Sequence, residues 1–283
     1  MTGHAAAAPG GWVPSSPCTP DCLPERVGSG GTWRLVVMAA LLAVTVGAAF
    51  VLPRRLREWW LVRGARALLA VAGVRLVVQG EQYGPRGQGV LVVANHQSWI
   101  DVVALSAVSP VRLLAKHEVR QWPVIGPLAA RTGALFVDRA SLRELPDTVA
   151  ATAAALRAGA TIGVFPEGTT WCGAVAGTFR RAAFQAAIDA AVPVRPVAIA
   201  LRTRDGAPAP AATFVGDQTL IDSMRRVVAL RGLVCELTLL PLIPVEVDGS
   251  RRALAARAAD AVGATTGVPH GTVPVEVKIP VAA

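Results

Sequence analysis

The fold of this chain is set by one short stretch, VLVVANHQSWID at residues 90–101. Its first residues form an apolar run, which predicts a buried strand. Ser98, followed three residues later by Asp101, is typical of a helix start in which Ser98 is the N-cap. The stretch therefore predicts a strand that leads directly into a helix, with His96 in the connection between them.

His96 and Asp101 lie five positions apart, a pairing expected of a histidine base with an acidic partner. Within one regular α-helix this spacing would point the two side chains about 140° apart. With His96 just outside the helix, its ring can fold back so that Asp101 accepts the Nδ1 proton and Nε2 is left as the base. The alternative is that Asp101 only completes a capping box and that His96 is a surface loop residue. The pair taken alone favours this alternative.

Composition narrows the class of protein. The 283 residues suffice for one large α/β domain and a terminal appendage. The net charge of +9 fits either nucleic acid or anionic membranes and substrates. No basic run is interleaved with aromatic residues, and Tyr83 is the only tyrosine. A nucleic-acid partner is therefore not expected, and membrane lipids or phosphates are favoured as partners.

Residues 33–70 are predicted to anchor the chain to a membrane. Residues 35–52 carry no charge and are long enough to span a bilayer core. Arginines follow this stretch, beginning at Arg54 and Arg55. This bias predicts a location at the cell membrane, with the catalytic domain facing the cytoplasm. The alternatives are a buried helical hairpin or an interfacial helix.

Residues 1–32 are rich in glycine, proline, serine and alanine, and are predicted to be disordered. Cys18 and Cys22 lie in this tail, whereas Cys172 and Cys235 are isolated in the rest of the chain. The absence of a companion histidine cluster and of a C-x-x-C repeat argues against a zinc site and against a disulfide framework. We therefore predict ordinary thiols and no metal site.

Residues 71–283 alternate short apolar runs with alanine-rich stretches, which is the pattern of an α/β domain. The predicted strands cover residues 74–78, 90–94, 112–115, 134–137, 162–165, 194–201 and 235–240. The predicted helices cover residues 99–107, 141–158, 179–190 and 251–262. Residues 203–212 are predicted to form a surface loop.

Two further motifs follow predicted strands, at the edge where open α/β sheets gather their ligands. The first ends in Arg139, whose guanidinium could bind a phosphate or could pair with a neighbouring carboxylate. The second, at residues 162–170, runs into a Pro-Glu-Gly-Thr turn. There Glu167 and Thr169 could bind a polyol substrate, although such an isolated turn is usually structural.

Arg180 and Arg181 open the helix predicted at residues 179–190. Basic side chains at a helix start oppose the helix dipole, so an anion is expected beside them. A basic patch that faces the membrane is the alternative.

With these elements in this order, residues 70–205 resemble the lysophospholipid acyltransferase family, typified by 1-acylglycerol-3-phosphate acyltransferase. The matching blocks are His-x4-Asp at 96–101, Gly-x-x-Phe-x-x-Arg at 133–139, Phe-Pro-Glu-Gly-Thr at 165–169 and Val-Pro-x-x-Pro at 192–196. The resemblance implies an α/β fold with a mixed sheet flanked by helices, as in glycerol-3-phosphate acyltransferase. It also implies an N-terminal membrane-anchoring helix.

The resemblance further implies transfer of a fatty acyl group from acyl-CoA or acyl-carrier protein to the free hydroxyl of lysophosphatidic acid, which gives phosphatidic acid. No covalent acyl-enzyme and no cofactor beyond the acyl donor are expected. By resemblance, His96 is the general base and Asp101 orients it. Arg139, Glu167 and Gly168 are then expected at the phosphate and glycerol of the acceptor.

Departures from the family pattern bear on the acceptor. Many members carry an arginine directly after the Glu-Gly-Thr core, where this chain has Thr170-Trp171-Cys172, and Ala182 replaces a common glycine. Arg180 or Arg181 could substitute for the missing cation. The chain also resembles the branch that acylates non-phosphate lysolipids such as lyso-ornithine lipid, and that acceptor stays an alternative. A non-catalytic membrane lipid-binding protein is the alternative from a different class.

Overall fold

A seven-stranded sheet forms the centre of the fold. The computed structural model describes residues 15–24, 31–80, 82–85, 87–123, 125–138, 143–216, 218–246 and 249–271. Among these residues the strands are β1 (Val74–Gln79), β2 (Val90–Ala94), β3 (Arg112–Lys116), β4 (Leu135–Val137), β5 (Thr161–Val164), β6 (Val194–Arg202) and β7 (Leu233–Leu239). The α-helices are α1 (Thr32–Val51), α2 (Arg54–Ala72), α3 (Trp99–Val108), α4 (Ile125–Thr132), α5 (Leu145–Arg157), α6 (Ala182–Ala190), α7 (Leu220–Ala229) and α8 (Arg251–Thr266).

The strands lie in the order β1-β7-β6-β2-β5-β3-β4. Neighbouring strands are parallel except for the antiparallel pair β6 and β7. The predicted α/β fold with a mixed sheet is therefore confirmed. Strand β2 lies between β5 and β6, and its carboxyl end leads through a short turn into α3, as the sequence predicts.

Strand β2 shows how the sheet divides the core. Val90, Val92 and Ala94 belong to one apolar cluster, which is completed by residues of α1, α2, α3 and α7. Leu91 and Val93 join a second cluster with residues of α5, α6 and α8. Successive side chains of a strand point to opposite faces of its sheet, so a strand covered on both faces is apolar throughout. This is why β2 is one unbroken apolar run.

The predicted strands are all present, with ends that differ by no more than two residues. The helix predicted at 179–190 begins only at Ala182, so Arg180 and Arg181 precede it and do not open it. Helices α4 and α7 were not predicted. Residues 203–212 are not wholly a surface loop, because they end in a 3-10 turn, Pro210–Ala212, with two buried alanines.

Helices α1 and α2 pack together as a hairpin. Gly64 permits the close approach, because a Cβ at this position would lie 2.6 Å from Cγ2 of Thr45. The indole of Trp60 also donates to the carbonyl of Thr45 at 3.3 Å. Helix α1 is long and apolar enough to cross a membrane, and apolar side chains such as Val36 and Val51 are exposed. It is the candidate for the predicted N-terminal anchor.

Both ends of α1 contact the α/β body. Near its start, Nη1 of Arg34 donates to the carbonyl of Val228 in α7 at 3.4 Å. Near its end, the carbonyl of Phe50 accepts from Nη2 of Arg131 in α4 at 3.3 Å. Helix α1 therefore lies along the body of the molecule.

Part of the N-terminal tail is ordered against the same body. Residues 20–22 form a 3-10 helix whose first turn is capped by the side chain of Thr19. Cys18 is buried in a cluster with Trp171 and Val215. The prediction of disorder is therefore wrong for residues 15–24. Residues 1–14 and 25–30 of the predicted disordered tail lie outside the described residues.

Candidate active site

The candidate site forms at the carboxyl ends of two neighbouring parallel strands. His96 follows β2, and Glu167 follows β5, which pairs with β2 in parallel. Parallel neighbours present their carboxyl ends at the same sheet edge, which brings two distant motifs of the sequence together.

The His96 and Asp101 side chains are in direct contact. Nδ1 of His96 lies 2.9 Å from Oδ2 of Asp101, which is fully buried. The same Oδ2 accepts the backbone N–H groups of Gln97 at 2.5 Å and of Ser98 at 2.7 Å. Helix α3 begins directly after Ser98. The carboxylate thus caps the helix and also binds the histidine, while the role of His96 as a base stays a prediction.

This contact bears on the two ring nitrogens. An ionised carboxylate only accepts hydrogen bonds, so the contact favours the tautomer in which Nδ1 carries the ring proton and the lone pair is on Nε2. The ring also stacks on Phe165, with 4.0 Å between centroids and an angle of 17° between planes. About 18% of the His96 side chain is exposed. The ring is therefore fixed in orientation while a part of it stays accessible.

Glu167 supports the backbone around the histidine. Its Oε2 accepts the N–H of His96 at 2.6 Å, and its Oε1 accepts the N–H of Gly177 at 2.9 Å. The residue is only 2% exposed. Burial raises the pKa of Glu167 to about 8, with a further upward contribution from the charge of Asp101, while the two N–H bonds oppose this shift. Both carboxyl oxygens thus bind main chain, and a contact with substrate stays a prediction.

Further main-chain bonds hold the histidine turn. The carbonyl of His96 accepts from the N–H of Trp171 at 2.8 Å, and that of Gln97 accepts from Phe214 at 2.8 Å. Before the histidine, the Asn95 amide makes two bonds of 2.8 Å with the backbone of Ile199. Polar backbone groups at a buried turn require partners, and here distant parts of the chain supply them.

His270 is part of the site and was missed from the sequence. Its Nδ1 lies 2.9 Å from the carbonyl of Gly177 and 3.5 Å from Oε1 of Glu167, and its ring meets the edge of Phe179. Burial lowers the pKa of His270, which favours the neutral ring. It also lines a small cavity with His96. No local motif surrounds His270, so only the tertiary fold could reveal it.

The other predicted substrate-binding residues lie near the same turn. Gly168 adopts a left-handed conformation with φ of 80°, which glycine tolerates, and its N–H donates to the carbonyl of Phe165 at 3.1 Å. Thr169 next to it is partly buried. The backbone N–H of Arg180 donates to the carbonyl of Pro166 at 3.0 Å, so this residue lies beside the turn.

Arg181 and Arg139 are the two remaining predicted residues. Arg181 is exposed and is the N-cap of α6. Arg139 lies outside the described residues, two positions after the end of β4.

Potential metal ligands converge at one place in the described part of the chain. The sulfur atoms of Cys18, Cys22 and Cys172 lie within 4.8 Å of one another. Separation in sequence hid this cluster, because Cys172 is about 150 residues from the other two.

Comparison with known proteins identifies the class to which this fold and site belong, an α/β acyltransferase. A family model described as Acyltransferase matches residues 75–200. A lyso-ornithine lipid O-acyltransferase of Pseudomonas aeruginosa is 40% identical over 210 residues, which are 74% of this chain and 76% of that protein. This chain belongs to the acyltransferase family, as the resemblance predicted, and it is an acyltransferase.

Two further known proteins are similar to this chain, one in sequence and one in structure. A 1-acyl-sn-glycerol-3-phosphate acyltransferase of Neisseria meningitidis serogroup B is 39% identical over 140 residues, 50% of this chain and 54% of that protein. The crystal structure of the 1-acyl-sn-glycerophosphate acyltransferase PlsC from Thermotoga maritima matches with a TM-score of 0.62 and 18% identity. It covers 84% of this chain and 97% of that chain. At this identity the second match concerns the fold alone.

Proposed function

We propose that this protein moves a fatty acyl group from a thioester donor, acyl-CoA or acyl-carrier protein, to the free hydroxyl of a lysolipid, with His96 as the general base. One observation carries the proposal: Nδ1 of His96 lies 2.9 Å from the buried Asp101 carboxylate, which leaves Nε2 as the basic nitrogen. Membership of the acyltransferase family supports the reaction type.

In the proposed reaction, Nε2 accepts the proton of the acceptor hydroxyl while the hydroxyl oxygen attacks the thioester carbonyl. The C–S bond then breaks, and the leaving thiolate takes the proton back from the imidazolium. The products are the acylated lipid and a free thiol, so the reaction balances without a covalent acyl-enzyme. The carboxylate of Asp101 stabilises the imidazolium that exists between the two proton transfers, because opposite charges attract strongly in a buried site.

Lyso-ornithine lipid is the acceptor that we propose. The lyso-ornithine lipid relative matches a longer part of this chain than the Neisseria relative does. The segment after Gly168 also brings no cation to the turn: the Thr170 hydroxyl donates to the Phe214 carbonyl, and Trp171 and Cys172 are buried. A phosphate acceptor calls for a cationic side chain, whereas an ornithine headgroup carries its own amine.

Lysophosphatidic acid is the second candidate acceptor. Arg180 lies beside the Glu167 turn through the bond of its backbone N–H to Pro166, and the residue is exposed. This residue could supply the cation that the turn itself lacks. The similarity to the Neisseria enzyme also supports this acceptor.

We propose that the protein acts at the cell membrane through the exposed apolar face of α1, with the α/β body on the cytoplasmic side. The chain before α1 and the chain after α2 both pack on that body. The α1–α2 hairpin would therefore lie in the membrane interface beside the body, with the exposed apolar side chains of α1 towards the lipid.

The base is tested by His96→Ala, with His117→Ala as the matched control because His117 is exposed and lies in the 3-10 helix His117–Gln121 that follows β3. We expect the first variant to lose on the order of 10²- to 10⁴-fold in kcat, the usual contribution of a positioned base. Its melting temperature should stay near that of the parent. An unchanged rate in a folded His96→Ala protein would remove the base assignment.

The acceptor is tested separately with purified protein and one acyl-CoA. We expect a kcat/KM for lyso-ornithine lipid at least tenfold above that for lysophosphatidic acid. The opposite preference would reject our choice of acceptor and leave the role of His96 intact. No acylation of either lipid by the folded parent would reject the proposed function as a whole.

A further inference from the structure

Three cysteine side chains meet where the N-terminal segment packs against Trp171 and Val215. Cys18 and Cys22 come from the ordered N-terminal segment, and Cys172 comes from the loop that follows Glu167. Their sulfur atoms lie within 4.8 Å of one another, and none of the three is in a disulfide. Cys18 and Cys172 are buried, whereas Cys22 is only partly so.

The spacing of these atoms fits a metal ion. Zn²⁺ binds thiolates at about 2.3 Å, and in a tetrahedral site this places neighbouring sulfur atoms roughly 3.8 Å apart. Three sulfurs within 4.8 Å can reach this arrangement by small rotations of their side chains. A disulfide would use two of the sulfurs and leave the third without a role, whereas one cation engages all three. Thiolate ligands select soft cations over Mg²⁺ or Ca²⁺.

We propose that Cys18, Cys22 and Cys172 bind one Zn²⁺ ion, with its fourth position on the partly exposed side of Cys22. Binding to three thiols would release three protons and leave a site with a net charge of −1. This proposal does not depend on the identity of the acyl acceptor, and it replaces our expectation of ordinary thiols.

The surrounding contacts indicate what such an ion would do. It would join the N-terminal segment to the loop of Trp171, whose N–H donates to the carbonyl of His96 at 2.8 Å. The segment also lies against a second supporting loop, because a Cβ on Gly216 would meet the ring of Pro20 at 2.8 Å. That loop includes Phe214, whose N–H donates to the carbonyl of Gln97. The ion would therefore brace both loops that hold the histidine turn.

A backbone N–H group at the cluster already donates a hydrogen bond to a cysteine sulfur. The N–H of Cys172 donates to Sγ of Cys18 at 3.3 Å. Apolar neighbours, among them Trp171 and Val175, shield the cluster from solvent.

The test measures metal in the full chain, expressed with added zinc and purified in detergent without chelators. We expect about one zinc per chain by mass spectrometry of the elements. Replacement by Co²⁺ should give the near-ultraviolet absorption of thiolate-to-cobalt charge transfer. The double variant Cys18→Ser with Cys22→Ser should lose at least tenfold in bound zinc, while Cys235→Ser, a buried cysteine in β7 outside the cluster, should retain it.

Several results would overturn the proposal. One is a folded parent protein with less than a tenth of a metal ion per chain and no cobalt charge-transfer band. Another is a disulfide between two of these cysteines in protein prepared without oxygen. If the double variant does not fold, the parent alone decides the question: titration of its thiols with a mercurial should release stoichiometric zinc to a colorimetric indicator, and no release would reject the site.

Discussion

Replacing Glu167 by glutamine separates the two roles that this residue could have. In the structure its two oxygens accept the backbone N–H groups of His96 at 2.6 Å and Gly177 at 2.9 Å. Glutamine keeps the shape but turns one oxygen into an NH2 group, which cannot accept. One buried N–H then loses its partner, at a cost of about 1–3 kcal/mol.

The charge of the residue does not dominate this comparison. Burial raises the pKa of Glu167 to about 8, so glutamine removes a charge that burial already disfavours. A loss of about 2 kcal/mol lowers the melting temperature of a chain of this size by roughly 4–8 °C. Since the lost bond holds the backbone of His96, kcat should also fall by on the order of tenfold or more.

The assay combines thermal unfolding in detergent with acyl-transfer kinetics at saturating and limiting acceptor. Glu118→Gln is the matched control, because Glu118 is exposed and pairs with Lys116 at the surface. The control should change stability by no more than about 0.5 kcal/mol. An unchanged melting temperature for Glu167→Gln, together with a raised KM for the acceptor, would refute the supporting role and favour direct substrate binding.

Three further predictions concern the same site. Asp101→Asn should lower kcat/KM by about tenfold or more, since the imidazolium of His96 loses its counter-charge, and it should cost nothing further when added to His96→Ala, as a double-mutant cycle would measure. Between pH 4.5 and about 8 the folded state keeps a proton on Glu167 that the unfolded chain has released. The free energy of unfolding should therefore fall as pH rises through this window, by up to about 1.4 kcal/mol per pH unit, and denaturant titrations of Glu167→Gln should show a flatter profile. Gly177→Ala should destabilise the fold by about 1–3 kcal/mol in the same titrations, because its Cβ would lie 2.5 Å from the indole of Trp171.

Each of these predictions has a contrary outcome. Additive losses from the Asp101 and His96 changes would mean that the two side chains act independently. A stability profile that is unaltered by the glutamine change would place the titrating group elsewhere. For the glycine, Gly47→Ala is the matched control, because a Cβ there meets nothing within 4 Å. Equal effects of the two glycine changes would contradict the packing argument.

Local sequence patterns were sufficient to predict every strand of the described sheet but not every helix. Strand β2 could be predicted because a strand buried on both faces is a continuous apolar run. Helix α4 was missed because its eight residues include Gly126 and Pro127, which are typical of turns. Helix α7 was missed because it is only ten residues long. Short helices owe their stability mainly to tertiary packing, which local patterns do not contain.

The same limit applies to the site. His96 and Asp101 are neighbours in sequence, so their contact followed from the helix start between them. The main-chain support that Glu167 gives depends on a partner 71 residues away, so the sequence did not predict it, and the predicted substrate contact stays untested. His270 and the three-cysteine cluster depend on still longer separations. Predicting them would have required knowing which strands, helices and loops lie next to one another in the fold.

The main-chain bonds around His96 also constrain when activity can arise during synthesis. Asn95 bonds to Ile199, Gln97 bonds to Phe214, and Glu167 lies within 3.5 Å of His270. A nascent chain that has emerged only as far as α3 already carries the histidine and its carboxylate, but none of these partners. Contacts of such long sequence separation form late. The pair of His96 and Asp101 would thus be synthesised early, but its position would be fixed only when nearly the whole chain has left the ribosome.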